Sequence, residues 1–279
     1  MNTSIVKPGM SPSPVDPAGA VRYEILGPLR ISGASEGPLI RAHKIQVMLA
    51  VLLIRSGQIV PIEYLTEEIW GESAPRRATA AVHVYISQLR KSLSQHGAPD
   101  DAIVTRPPGY LLNVGDAGLD VYEFEQRVRQ GRDHAWAGAH TEAVESYEAA
   151  LALWRGPALS GLRDSPVINA FAAWLDECRL EAAEMMIESS LALGRHRAIT
   201  SFLYSLINQH ALHEAFYRQL MLALYRSDRQ ADALRVYQSA RTILKEELGL
   251  EPCRALRDLH RQILSGADLS NVVPTSGAA

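Results

Sequence analysis

Residues 76–114 constrain this chain more than any other stretch. They read RRATAAVHVYISQLRKSL, a short polar break, then IVTRPPGYLLNV. At 100° per residue, Val82, Tyr85, Ile86, Leu89 and Leu93 share one stripe, so the first part predicts an amphipathic helix laid on a core. The opposite face carries Arg77, Ala80, Val84, Ser87, Gln88 and Lys91, with His83 and Arg90 on its flank. Pro75 favours a clean helix start, and Thr79 stands where a hydroxyl serves the first turn. Beyond the break, TRPPGY (105–110) holds two prolines that fix φ and a glycine, Gly109, that permits φ > 0. The chain is therefore expected to reverse there, between Ile103–Val104 and Tyr110–Val114, with Thr105, Arg106 and Tyr110 at the turn. A helix shaped for a groove beside a hairpin shaped for a backbone is the pattern of a winged helix.

The residue types on that face suit duplex DNA. Gln and Arg pair bidentately with base edges, and Ala and Val meet thymine methyls. Val84, Ser87, Gln88, Lys91 and Arg77 are expected to face the major groove. Arg76, Arg90 and Thr79 are expected to hold phosphates and set the register, and Arg106 to reach the neighbouring minor groove or its backbone.

Upstream, Val21–Leu26, Leu29–Ser32 and Pro38–Ile40 read as short strands broken by Gly27–Pro28 and by the GASEG run at 33–37. Lys44–Arg55 is almost wholly apolar and stops at Gly57; Ile62–Trp70 has helical spacing and stops at Gly71. Trp70 is expected in the core. The predicted order is sheet, helix, helix, recognition helix, hairpin.

These segments carry a resemblance. RYEILGPL (22–29), VLLIRSGQIV (51–60), EEIWG (67–71), YISQLRKSL (85–93) and RPPGYLL (106–112) occur in this order. Together they resemble the Streptomyces antibiotic regulatory proteins, over roughly residues 21–265. That family joins an OmpR-type winged helix to a bacterial transcriptional activation domain. The resemblance implies an activator of a secondary-metabolite biosynthetic gene cluster, acting on promoter DNA in the cytoplasm, in association with the nucleoid. It further implies head-to-tail homodimers on direct repeats near the −35 element, and recruitment of RNA polymerase holoenzyme through its sigma factor.

The net charge of −3 looks wrong for a DNA-binding protein until the chain is divided. Residues 21–114 hold ten Lys+Arg against eight Asp+Glu, whereas residues 115–279 hold seventeen against twenty-two. The positive charge is local and modest, so affinity should rest on a few placed side chains. Cys178 and Cys253 are too few for a disulfide framework or a structural zinc site and are expected as reduced thiols. No run of about 18 apolar residues is present, so no membrane-spanning helix is expected. Residues 1–20 and 266–279 have the composition of a disordered arm and tail.

From Asp120 onward every segment has helical spacing: 121–135, 141–154, 170–193, 196–209, 211–226, 229–248 and 253–264, punctuated by Gly138, Gly156–Pro157, Gly194 and Gly249. AVESY (143–147), AITSF (198–202) and ALRVY (233–237) echo one another. The last two lie near the 34-residue period of a tetratricopeptide repeat, and an insertion around 155–180 displaces the first. Ala143, Ala150, Ala233 and Ala240 should let helices approach, with Tyr147, Phe202 and Tyr237 filling the gaps. KEELGLEP (245–252) reads as a glycine helix stop with a hydrophobic return.

The expected fold is mainly α: a winged helix-turn-helix with a small sheet and wing at 21–114, then an all-α tetratricopeptide-like domain at 115–265. Enzyme chemistry finds no foothold. There is no GxxxxGKS/T loop, no GxGxxG after a strand and no GxSxG around Ser160 or Ser165. His210 and His213 lack the carboxylate of a HExxH zinc motif and are expected to be solvated. No cofactor or metal is expected. The competing possibility is a helical-repeat adaptor that binds protein without specific DNA recognition.

Overall fold

The computed structural model describes residues 21–33, 40–115 and 118–269. The expected arm, the strand at Pro38–Ile40 apart from Ile40, and most of the expected tail lie outside the described residues. Two compact units emerge: Met1–Phe124 with Leu153–Glu177, and Glu125–Ala152 with Cys178–Ala279.

In the first unit, β1 (Arg22–Glu24) pairs antiparallel with β2 (Arg30–Ser32). Helix α1 (His43–Ile54) follows; nine of its residues from Ile45 to Ile54 are buried, as a helix apolar all round requires. Then come β3 (Val60–Pro61), α2 (Ile62–Trp70) and α3 (Ala78–Gln95), and α1, α2 and α3 pack on one another. Strands β4 (Ile103–Arg106) and β5 (Gly109–Leu112) form the wing, and β5 also pairs with β3. Finally β6 (Gly118–Leu119) joins β1 in parallel, which gives the sheet order β2-β1-β6. The two-residue strands β3 and β6 have no sequence signature of their own.

Segment 153–177 folds with this unit, although the sequence places it among the helices. Arg155 and Leu159 donate backbone N–H groups to the Leu26 and Ile25 carbonyls, at 2.8 and 3.1 Å. Asp120 closes the same corner. Its carboxylate is 2 % exposed; both oxygens accept from the Ile25 N–H and one also accepts from the Leu26 N–H, each at 2.9 Å. Burial raises the Asp120 pKa above the ordinary carboxylate value, against the pull of those two amides and of Arg155. Arg155 also pairs with Glu24 at 3.1 Å.

The boundary between units falls inside α4 (Asp120–Trp136) and α6 (Pro166–Ala192). The second unit also contains α5 (His140–Leu151), α7 (His196–Gln209), α8 (Glu214–Tyr225), α9 (Gln230–Leu248) and α10 (Arg254–Leu264). Ala143, Ala150, Ala233 and Ala240 are fully buried, and Tyr147 and Tyr237 are buried as well. Gly131 serves the same purpose on α4, for an added Cβ would lie 2.6 Å from the Tyr147 ring.

Phe202 departs from the expected pattern. It is 37 % exposed, and the buried residues of α7 are Ile199, Leu203, Leu206 and Ile207. The inward register is set one position later than the echo suggests, because the helix turns its most continuous aliphatic stripe inward. Gly249 takes the left-handed conformation that ends α9, but Leu250 is exposed, so the expected hydrophobic return is not made. Part of the expected tail is packed: Leu269 is buried, and its carbonyl accepts from Arg226 Nε and Nη2 at 2.9 and 2.8 Å. His213 pairs with Glu184 at 2.5 Å, so it is engaged and not simply solvated.

Candidate nucleic-acid interface

Helix α3 starts after an exposed segment, Gly71–Arg77, where the Pro75 carbonyl accepts the Ala78 N–H at 2.9 Å. Ala78, Val82, Ile86, Leu89 and Leu93 are buried, the i, i+3/i+4 pattern of a helix seated on a core. Tyr85, half-buried, stacks on Trp70 with ring centroids 5.8 Å apart, and Lys44 Nζ sits 5.0 Å from the Trp70 ring centroid. Trp70 therefore lies at the edge of the core rather than inside it. Its indole fits an amphipathic position between an aromatic ring and a cation.

The outward face of α3 is sorted by charge. Arg76 and Arg77 just before the helix, and Thr79, Ala80, His83, Val84, Ser87, Gln88 and Lys91 on it, are all exposed, and Val84 is 53 % exposed. Arg77 and Lys91 are separated by about 21 Å of helical rise. Between them Ala80, Val84, Ser87 and Gln88 form an uncharged strip with two methyl-bearing side chains, a hydroxyl and a primary amide. Such a strip suits base edges, and the flanking cations suit phosphates.

The wing stands beside this strip. Its register pairs Thr105 with Tyr110 and Arg106 with Gly109, and Arg106, Pro107 and Pro108 are exposed at its tip. The Pro107–Pro108 peptide is cis. Gly109 does not adopt the positive φ expected of it. It lies in β5 against β3, where an added Cβ would come 1.8 Å from the Val60 carbonyl oxygen. Glycine is required there for close approach of two backbones.

Arg90 and Tyr110 are placed differently from the sequence-based expectation. Arg90 is half-buried and turned toward the wing: Nε and Nη2 donate to the Ile103 carbonyl at 3.1 and 2.8 Å, and Nη2 donates to Thr105 Oγ1 at 2.9 Å. Tyr110 is 4 % exposed, and its hydroxyl shares a hydrogen bond with His83 Nδ1 at 2.5 Å. The sequence places Tyr110 at the exposed turn, but the pleat sends its ring inward toward α3, where it is buried. Sequence reasoning also missed Lys44, Trp70 and Tyr85 as a group. They come from three helices, and no local spacing joins them.

Comparison with known proteins gives this geometry a family. Residues 41–112 match the profile described as "Transcriptional regulatory protein, C terminal", and residues 119–264 match "Bacterial transcriptional activator domain". Transcriptional regulatory protein MoaR1 of Mycobacterium tuberculosis is 33 % identical over 92 % of this chain and 83 % of its own length. Regulatory protein DnrI of Streptomyces peucetius is 34 % identical over 88 % of this chain and 92 % of its own. A solved structure of Mycobacterium tuberculosis EmbR, in complex with a low-affinity phosphopeptide, superposes with a TM-score of 0.85 at 34 % identity. It covers 90 % of this chain, which spans 66 % of the solved one. With both profiles in order along one chain and relatives matched over more than four-fifths of their own length, this protein belongs to the Streptomyces antibiotic regulatory protein family of transcriptional regulators.

Proposed function

We propose that this chain is a sequence-specific DNA-binding activator of a secondary-metabolite biosynthetic gene cluster. The observation that carries the proposal is the exposed strip Ala80–Val84–Ser87–Gln88, bracketed by Arg76, Arg77 and Lys91 and flanked by the Arg106 tip of the wing. Val84, Ser87 and Gln88 read base edges in the major groove; Arg76, Arg77, Thr79 and Lys91 hold phosphates; Arg106 enters the adjacent minor groove or meets its backbone. Two protomers bind head to tail on direct repeats spaced by about one helical turn, ~10–11 bp, so that both occupy one DNA face. The site is a promoter's −35 region, and the protein recruits RNA polymerase holoenzyme there through sigma factor. It works in the cytoplasm, on nucleoid DNA.

Selection of bound duplexes from a random pool, followed by footprinting, tests this. Gln88→Ala is expected to cost ~1–3 kcal/mol at a single base pair and to relax specificity there. Lys91→Ala is expected to weaken all sequences alike. No enrichment from the pool, or a two-fold symmetric footprint on an inverted repeat, overturns the assignment or its head-to-tail arrangement respectively.

A further inference from the structure

We propose that His83, Arg90 and Tyr110 form a latch that fixes the wing at a set angle to α3, acting as positioning residues for DNA and not as contacts with it. The inference rests on the DNA reading above and concerns how the two DNA-facing elements are held.

His83 and Arg90 are seven residues apart, so they lie almost one above the other on α3, on the flank turned to the wing. Both engage Tyr110. Its hydroxyl bonds His83 Nδ1 at 2.5 Å with the rings edge to face, 6.2 Å between centroids. The Arg90 guanidinium lies 5.9 Å from the centre of the same ring while it spans the Ile103 carbonyl and the Thr105 hydroxyl of β4. Tyr110 in turn sits in the middle strand of its sheet, opposite Val60 of β3 on one side and Thr105 of β4 on the other. One nearly buried residue therefore links two other strands to the recognition helix. Tilting the wing away from α3 breaks the hydroxyl bond, the ring contacts and the bidentate arginine together.

This matters because a major-groove helix and a minor-groove wing must keep a fixed spacing across one phosphate backbone. A hairpin that is already in place loses no conformational freedom on binding. Unlatched, it must be ordered at that moment, and affinity falls although no DNA contact has been removed.

A double-mutant cycle between Tyr110→Phe and Arg106→Ala tests the latch on the duplex that the unaltered chain selects from a random pool. Tyr110→Phe removes one hydroxyl, and the expected loss is about 3- to 10-fold in affinity while Arg106 is present. Once Arg106 is alanine, Tyr110→Phe is expected to have no further effect, because the wing it positions has no contact left to lose. Arg90→Lys keeps the charge but cannot span Ile103 and Thr105 together. It should lose affinity like Tyr110→Phe, with an unchanged salt dependence. Amide exchange at 103–112 in the free protein should speed up in both variants while the exchange of α1 stays put. If Arg106→Ala leaves binding intact, the wing's contact with DNA falls. If Arg106→Ala weakens binding but Tyr110→Phe is additive with it or silent, the latch falls. Arg90→Lys binding like the unaltered chain, while Arg90→Ala lowers the salt slope, makes Arg90 a phosphate contact and overturns its place in the latch. Should the pool yield nothing, the DNA reading fails, and unchanged exchange in the variants would still refute the latch.

Discussion

Replacing Gly109 by alanine separates close approach from backbone conformation as the reason for glycine in the wing. The added Cβ would lie 1.8 Å from the Val60 carbonyl oxygen, 2.6 Å from its carbon and 2.8 Å from Pro61 Cα, all of them backbone. Cβ contacts below 3.0 Å essentially never occur, so β3 and β5 must part by about 1 Å or more, at Val60↔Tyr110 and Pro61↔Gly109. The bond from the Ile62 N–H to the Pro108 carbonyl, 3.2 Å, lies beside the same pairing. Overpacking costs ~1–3 kcal/mol, and each hydrogen bond lost costs about 1 kcal/mol more. The first unit should therefore lose about 2–4 kcal/mol. Gly57→Ala is the control: its φ of +73° is unfavourable for alanine, but nothing lies within 4 Å of the new Cβ. It should cost about 1–2 kcal/mol from conformation alone. Native-state amide exchange at Val60, Ile62 and 109–112 reports the first unit separately from the second. An exchange free energy for Gly109→Ala no lower than for Gly57→Ala would refute the steric account.

Other sites give further tests. Asp120→Ala strands two N–H donors, those of Ile25 and Leu26, both 0 % exposed, and should destabilise the first unit by about 2–5 kcal/mol; Asp120→Asn keeps one acceptor oxygen and should fall between, as read by calorimetry. Gly131→Ala drives a Cβ to 2.6 Å from the Tyr147 ring and should cost ~1–3 kcal/mol; combined with Tyr147→Leu, the losses should be less than additive in urea titrations. His260 stacks on Tyr237 with ring centroids 3.8 Å apart, and burial pushes its pKa below the usual 6.5; burial and the charge of Arg226 do the same for His196. The folded state favours both neutral rings, so their contribution is present above pH 6.5 and is lost as pH falls through the lowered folded values. His260→Phe keeps the stack without the proton, and urea titrations of the second unit at pH 7.5 and 5.5 should show a shallower acid loss than in the unaltered chain; an equal loss would remove His260 from the account.

Sequence made legible what depends on a period within one element. The buried stripe of α3 follows from spacing alone, as do the ends of α7 at His196 and Gln209 and the helix stops at Gly57 and Gly71. What depends on a distant partner was not legible. Strands β3 and β6 are two residues long and exist because β5 and β1 offer them a ladder. By sequence, segment 153–177 belongs with the helical half, yet Arg155 and Leu159 are held by backbone carbonyls more than a hundred residues earlier. Phe202 breaks its echo for a related reason: an Ala…aromatic echo marks a repeat, but a neighbour's surface decides which stripe turns inward. Tyr110 fits either a wet surface or a packed ring, since tyrosine carries an apolar body and a polar tip.

The same limit applies to α3 and changes the salt dependence expected of the proposed DNA contact. A helical wheel separates His83 and Arg90 from Val84 and Gln88, but only the position of the wing shows that the first pair faces protein. Counting every cation of the region gives five candidates for phosphate: Arg76, Arg77, Arg90, Lys91 and Arg106. Arg90 is committed to Ile103 and Thr105, which leaves four. At roughly −0.9 per phosphate neutralised, the slope of log K against log salt should be about −3.6 per protomer, where the full set would give about −4.5. The quantity that isolates Arg90 is the difference between variants. Lys91→Ala should make the slope shallower by about 0.9, and Arg90→Lys should leave it where it was. Loss of affinity in Arg90→Ala with a slope that also becomes shallower by a full phosphate would show the guanidinium reaching DNA, and the wing would then have to be held by Tyr110 and β3 alone.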